Sequence, residues 1–223
     1  MATFAGQDLV CIRGERLVFS HLDFNIASGG CLTLIGRNGA GKSSLLRMMA
    51  GLLRPSSGVM SWDATPVQDD MDEHRERLHY VGHHDAIKPV LTVEENLKFW
   101  AGLRSDAQEA QANFKEALDL FSIGHLMDIP GRFLSAGQKR RANLARIIAS
   151  KSQVWLLDEP TTALDKETIA KLEEIIENHR ATGGMVVLST HSDLNIKNQE
   201  ILDVSAFSAA RGQESASLLA EGI

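Results

Sequence analysis

Gly36-Arg37-Asn38-Gly39-Ala40-Gly41-Lys42-Ser43 fits the phosphate-binding pattern G-x-x-x-x-G-K-[ST] at every fixed position. The pattern carries weight only between a strand and a helix, so its flanks matter. Upstream, Cys31-Leu32-Thr33-Leu34-Ile35 is a short apolar run of the kind a buried parallel strand shows. Downstream, Ser44 to Ala50 is predicted to be helical, with Gly51 as its C-terminal stop. Gly36, Gly39 and Gly41 permit backbone conformations and close approaches that a Cβ would block. The N–H groups of a loop containing Arg37, Asn38 and Ala40, together with the helix start at Ser43 and Ser44, then point at phosphate oxygens. Lys42 would reach the β- and γ-phosphates of a nucleoside triphosphate, and the Ser43 hydroxyl would ligate Mg²⁺.

A second stretch completes such a site. Val154-Trp155-Leu156-Leu157-Asp158-Glu159 is an apolar strand ending in two acids. Ligands of parallel α/β sheets gather at the carboxyl ends of strands, so these acids belong beside the phosphate loop. Asp158 can hold the Mg²⁺ shell, and Glu159 can orient and polarise the water that attacks the γ-phosphate. Leu134-Ser135-Ala136-Gly137-Gln138 opens a helix that carries Arg140, Arg141 and Arg146. Ser135 with Gln138 reads equally as a capping box or as a second phosphate contact at a helix end.

The whole chain sets the frame. Its 223 residues suffice for one large α/β domain, or for a domain with an insertion. A net charge of −6 gives no support to a nucleic-acid partner. Cys11 and Cys31 lack a C-x-x-C spacing and are expected as buried strand residues in a reducing compartment. The N-terminus does not read as a signal peptide, and no apolar run is long enough to span a bilayer.

Taken in order, Asp8 to Ile26 is strand-like, with turns at Gly14-Glu15 and Ser28-Gly29-Gly30. Val59 to Trp62 and Leu78 to Gly82 are predicted strands, and the charged stretch 69–77 a solvated loop or helix face. Thr92 to Leu103 is a predicted helix with a Thr92–Glu95 capping box, and Ala107 to Phe121 a second one burying Phe114, Ala117, Leu118 and Phe121. Residues from about 85 to 150 thus form a helical insert. Strand and helix alternate again through Lys166–Ala181, Met185–Thr190 and a last strand Glu200–Phe207. Residues 208–223 are expected to be a mobile tail.

These motifs, in this order, resemble the ATP-binding subunits of ABC transporters over almost the whole chain. Gly36 to Ser43 is similar to the family's Walker A loop, Leu156 to Glu159 to the end of Walker B, and Leu134 to Gln138 to its L-S-G-G-Q signature, with Ala136 for the first glycine. Thr162-Ala163-Leu164-Asp165 resembles the D-loop, although Asp165 would serve equally as the N-cap of the next helix. His191 falls where the family places its switch histidine. His84 stands where it places a glutamine that reaches the metal shell. The family's adenine-stacking aromatic should fall near Ile12 or Arg13, where the Arg13 guanidinium could lie on the base instead.

The resemblance implies a P-loop NTPase fold: a RecA-like α/β core with an antiparallel β subdomain and a helical subdomain. It implies ATP and Mg²⁺ as ligands, and a head-to-tail dimer in which Lys42, Ser43, Asp158 and Glu159 face Ser135, Gly137, Gln138 and Asp165 of a second copy across ATP. It also implies membrane-spanning partners at the cytoplasmic face of a bacterial inner membrane. Within the family, Gly82-His83-His84, Ile87-Lys88 and Leu134 to Arg141 are most similar to the haem-exporter group of c-type cytochrome maturation. Soluble ABC-type ATPases of DNA repair or translation usually carry coiled coils or paired ATPase units, and P-loop kinases and GTPases are not expected to carry the Leu134–Gln138 signature.

Overall fold

A computed structural model describes residues 2–103, 107–191 and 194–208 of the chain. The N-terminal half begins with a hairpin, β1 (Thr3–Arg13) and β2 (Arg16–Ala27), followed by β3 (Cys31–Ile35), α1 (Lys42–Met49), β4 (Ser57–Trp62), β5 (Thr65–Pro66), α2 (Met71–Arg77) and β6 (Leu78–Val81). Three helices follow, α3 (Val93–Ala101), α4 (Ala107–Leu120) and α5 (Ala136–Ala149). The chain then returns through β7 (Val154–Asp158), α6 (Lys166–Ala181), β8 (Met185–Ser189) and β9 (Glu200–Asp203).

Two sheets result. One is antiparallel, in the order β2-β1-β4-β5; the other is parallel, in the order β6-β7-β8-β3-β9. The second is an α/β sheet and the first its antiparallel companion, which is the fold class the sequence implied. Strand alternation divides the interior. Cys31, Trp155, Leu157, Val186 and Leu188 join the core beneath α3 to α6, while Leu32, Leu34, Leu156 and Val187 join the core around α1 and the antiparallel sheet. Successive strand side chains point to opposite faces, so a single five-residue run such as Val154–Asp158 can supply both cores. That explains why these strands read as continuous apolar runs.

Most expected elements form where the pattern puts them, capping box at Thr92–Glu95 included. Cys11 and Cys31 are buried and unbridged, and burial pushes the Cys31 thiol up to about 11. Two differences matter. Helix α1 begins at Lys42 rather than Ser44, because Gly41 takes a left-handed N-cap conformation (φ 112°) that lets the loop turn directly into the helix. The final strand ends at Asp203, whose side chain accepts from the Ser205 N–H and starts a 3-10 helix over Val204–Phe207. Ser208 bridges to Phe19, so it is not part of a free tail; residues 209–223 lie outside the described residues.

Two histidines are packed without charge. His74 sits between the Met49 carbonyl (Nε2···O 2.9 Å) and the Trp62 indole, which donates to Nδ1 at 3.0 Å. His179 stacks on Trp155 with ring centroids 3.7 Å apart. Burial lowers the pKa of both, that of His179 to about 4. The unfolded chain takes up these protons near 6.5 and the folded one only at lower pH, so the stability both contribute is full above 6.5 and lost as pH falls below it, for His179 down to about 4. In urea titrations, His179→Gln is expected to lower stability at pH 7, because the stack is lost, yet to flatten the decline between pH 6.5 and 4. Parallel pH profiles for the two proteins would remove His179 from the acid response.

Candidate functional site

The carboxyl ends of β3, β7 and β8 open onto one cleft of about 610 Å³, lined among others by Asn38 to Ser44, Glu159 and His191. The parallel register brings the groups together: Asp158 pairs with Ser189, and Ser189 with Leu34, two residues before Gly36. Arg37, Asn38 and Gly39 are exposed, whereas Ala40 is buried and its N–H closes the loop turn on the Arg37 carbonyl at 3.1 Å. Lys42 is largely buried, and its ammonium donates to the Gly36 carbonyl at 2.7 Å.

Asp158 is buried at the end of β7. Its Oδ1 accepts from the hydroxyls of Ser43 (3.0 Å) and Ser189 (2.7 Å). Its Oδ2 is also buried and accepts no hydrogen bond of normal geometry, although Tyr80 lies close enough for the carboxylate to add to the upward push that burial gives its phenol. A buried carboxylate oxygen left over beside a serine hydroxyl suits a hard divalent cation. Among the described residues no cluster of His, Cys, Asp or Glu could hold a metal unaided. An ion here would therefore draw its remaining ligands from nucleotide and water, as Mg²⁺ commonly does.

Glu159 follows in a left-handed conformation (φ 50°), unusual for a residue with a side chain. Its N–H is held by the Ser189 carbonyl (3.0 Å) and hydroxyl (3.2 Å). Its carboxylate lies 3.4 Å from His191 Nε2, which is in turn 3.5 Å from the Lys42 ammonium. One ring nitrogen cannot serve both: bearing hydrogen it donates to Glu159, and bare it accepts from Lys42.

The remaining sequence-derived residues divide. His83, not His84, lines the cleft, where the chain bends after Gly82. Arg13 does line it, joined by Arg16 and Val18 across the β1–β2 hairpin tip, where Arg13 and Arg16 are paired. Ser135, Gly137, Gln138 and Asp165 do not line it. Ser135 and Gln138 form the expected capping box, and Asp165 caps α6 by accepting from the Thr168 N–H at 2.8 Å.

The chemistry of this cleft agrees with what the chain resembles. The ABC transporter family profile matches residues 19–162. The chain belongs to the ABC transporter family. It is 52% identical over 94% of its length to a protein of Paramagnetospirillum magneticum and 54% identical over 92% to one of Rhodospirillum rubrum, covering 97% and 87% of those chains. Both are named cytochrome c biogenesis ATP-binding export protein CcmA. Among solved structures, an ATP-binding subunit of an ABC transporter superposes with a TM-score of 0.79 at 25% identity, covering 91% of this chain and 86% of that one. As an ABC ATP-binding subunit, the chain binds and hydrolyses ATP.

Sequence reading missed the outer support of the phosphate loop. The Ser205 hydroxyl, on the 3-10 helix after β9, accepts from the Arg37 N–H at 3.0 Å. A Cβ on Gly36 would stand 2.6 Å from that hydroxyl, so the glycine is required by this approach as well as by its φ of 132°. No motif marks Ser205, since the contact spans 168 residues. One such hydrogen bond contributes about 0.5–1.5 kcal/mol. Ser205→Ala is accordingly expected to weaken binding of a fluorescent ATP analogue by roughly 2- to 10-fold. An unchanged Kd would mean that the loop holds its shape without this strap.

Proposed function

We propose that the chain powers an export complex in c-type cytochrome biogenesis, one that handles haem at the cytoplasmic face of the bacterial inner membrane. The observation that carries this reading is the likeness, over nearly the full length of both chains, to proteins named for that process. Among the described residues no helix is long and apolar enough to cross a membrane, so membrane-spanning subunits would provide the path. They would dock on the helical insert, residues about 85 to 150 of an ATPase unit spanning 1–207. A groove of about 350 Å³ between Ala50, Leu52 and Tyr80 of the core and Trp100, Leu103 and Arg146 of that insert favours this face.

Within the site, Lys42 would hold the β- and γ-phosphates, with Arg13 and Arg16 beside the base. Ser43, Asp158 and one of the paired histidines, His83 on its position or His84 on the family pattern, would hold Mg²⁺. That ion, when bound, neutralises charge on the phosphates. Glu159 would orient the attacking water, with His191 poised between it and Lys42. The segment Ser135 to Gln138 and Asp165 do not line this cleft, which supports a second copy, head to tail, supplying them to the partner's ATP.

Glu159→Gln keeps the shape of the side chain but removes the anionic acceptor. ATP binding is expected to persist while turnover falls on the order of 10²–10⁴-fold, with ATP-bound dimers accumulating in gel filtration. Near-normal hydrolysis would take Glu159 out of the mechanism.

The physiological reading is tested in cells. A strain whose only copy is Lys42→Ala, expressed at the normal level, is expected to lose covalently attached haem on stained denaturing gels while retaining b-type cytochromes. Normal c-type cytochromes in that strain would overturn the cytochrome assignment and leave the ATPase intact.

A further inference from the structure

Arg140 lies in the second turn of α5, is 3% exposed, and is aimed into the body of the protein rather than at solvent. Its guanidinium divides its donors between two segments of chain, 158–160 and 82–85. Nη2 donates to the carbonyls of Asp158 (2.9 Å) and Glu159 (2.6 Å), and Nε to that of Pro160 (3.2 Å). Nη1 donates to the Gly82 carbonyl (3.1 Å) and to Asp85 Oδ1 (3.3 Å), the one carboxylate among these contacts. Asp85 is steadied in turn by Asn143, one helical turn beyond Arg140, whose amide donates to Oδ1 at 3.2 Å.

Three successive carbonyls accepted by one rigid fork fix the direction of the backbone through Glu159. That backbone needs fixing. Glu159 sits in the left-handed region, which costs a residue with a side chain free energy and persists only when its surroundings over-determine it. Ser189 holds the N–H of Glu159 from one side, and Arg140 holds its carbonyl from the other. Between them the direction of the Glu159 side chain toward the cleft is set.

We infer that Arg140 is the positioning residue for Glu159: the α5 guanidinium clamps the Asp158–Pro160 carbonyls and thereby aims the Glu159 carboxylate at the attacking water. The same fork grips Gly82 and Asp85, immediately beside His83 on the cleft wall. A shift of α5 relative to the sheet would therefore reach Glu159 and the 82–85 loop together. The inference rests on the reading of Glu159 as the residue that orients water.

The test is a double-mutant cycle read in three ways: turnover at saturating ATP, Kd for a fluorescent ATP analogue, and thermal midpoint. Arg140→Gln keeps an amide donor but loses the fork. Turnover is expected to fall on the order of 10- to 100-fold, the scale of a misplaced catalytic group, with Kd within about 2-fold of the parent because the clamp does not touch the phosphate loop. In the Glu159→Gln background, Arg140→Gln is expected to cause no further loss, since the group it aims is already inactive. Should Arg140→Gln not fold, Arg140→Lys, which retains the charge and loses the fork, takes its place in the same cycle. Unchanged turnover, or losses that multiply across the two sites, would overturn the positioning role. So would weaker nucleotide binding (a higher Kd) and a lower midpoint in step with the loss of turnover, which is the mark of a merely structural arginine. Failure of the Glu159 reading is seen separately, as near-normal turnover in Glu159→Gln alone.

Discussion

The register of three parallel strands is the constraint on which the rest depends. β7, β8 and β3 are hydrogen-bonded neighbours running the same way, so their carboxyl ends stop at one edge. Ser189 lies opposite Asp158 on one side and Leu34 on the other. That places the Walker acids, the phosphate loop and His191 within reach of each other, although they come from positions far apart in the chain. A slip of β7 by one residue against β8 would turn Asp158 to the other face of the sheet. The apolar runs on both faces of the sheet forbid it, since each strand contributes alternately to two cores.

Around that edge the protein buries charge, and it does so with partners. A buried ion costs several kcal/mol unless hydrogen bonds and counter-charges compensate. Asp158 is met by two serine hydroxyls, and Arg140 by four carbonyls and a carboxylate. Arg146, whose pKa burial lowers to about 10, packs its guanidinium on Trp100 and donates to the Tyr80 carbonyl. The hydrogen bonds of the two arginines join α5 to β6, to β7 and to the segments that follow them. The helix that begins with the signature segment is thus tied to the carboxyl edge of the parallel sheet by polar contacts, not only by its apolar side.

The signature segment itself shows how a structural and a functional reading can coexist. Its serine and glutamine satisfy the first turn of α5 as a capping box. The same geometry leaves Ser135 exposed and outside the lining of the cleft.

The sequence by itself determined a great deal. The phosphate loop, the strand ending in Asp158-Glu159 and the capping boxes at Thr92 and Ser135 are local patterns, and local patterns survive folding because neighbours in sequence satisfy them. The helix starts were displaced by at most two residues. What only the tertiary structure decided were the long-range contacts. That His83 rather than His84 faces the cleft depends on how the chain turns out of β6. The strap from Ser205 to Arg37 and the clamp of Arg140 on Glu159 join segments whose spacing carries no periodic signal. The last strand stops at Asp203 because that side chain caps a 3-10 turn docked against the phosphate loop. A hydrogen bond between distant segments is set by the register of the strands between them, and register exists only once the sheet has formed.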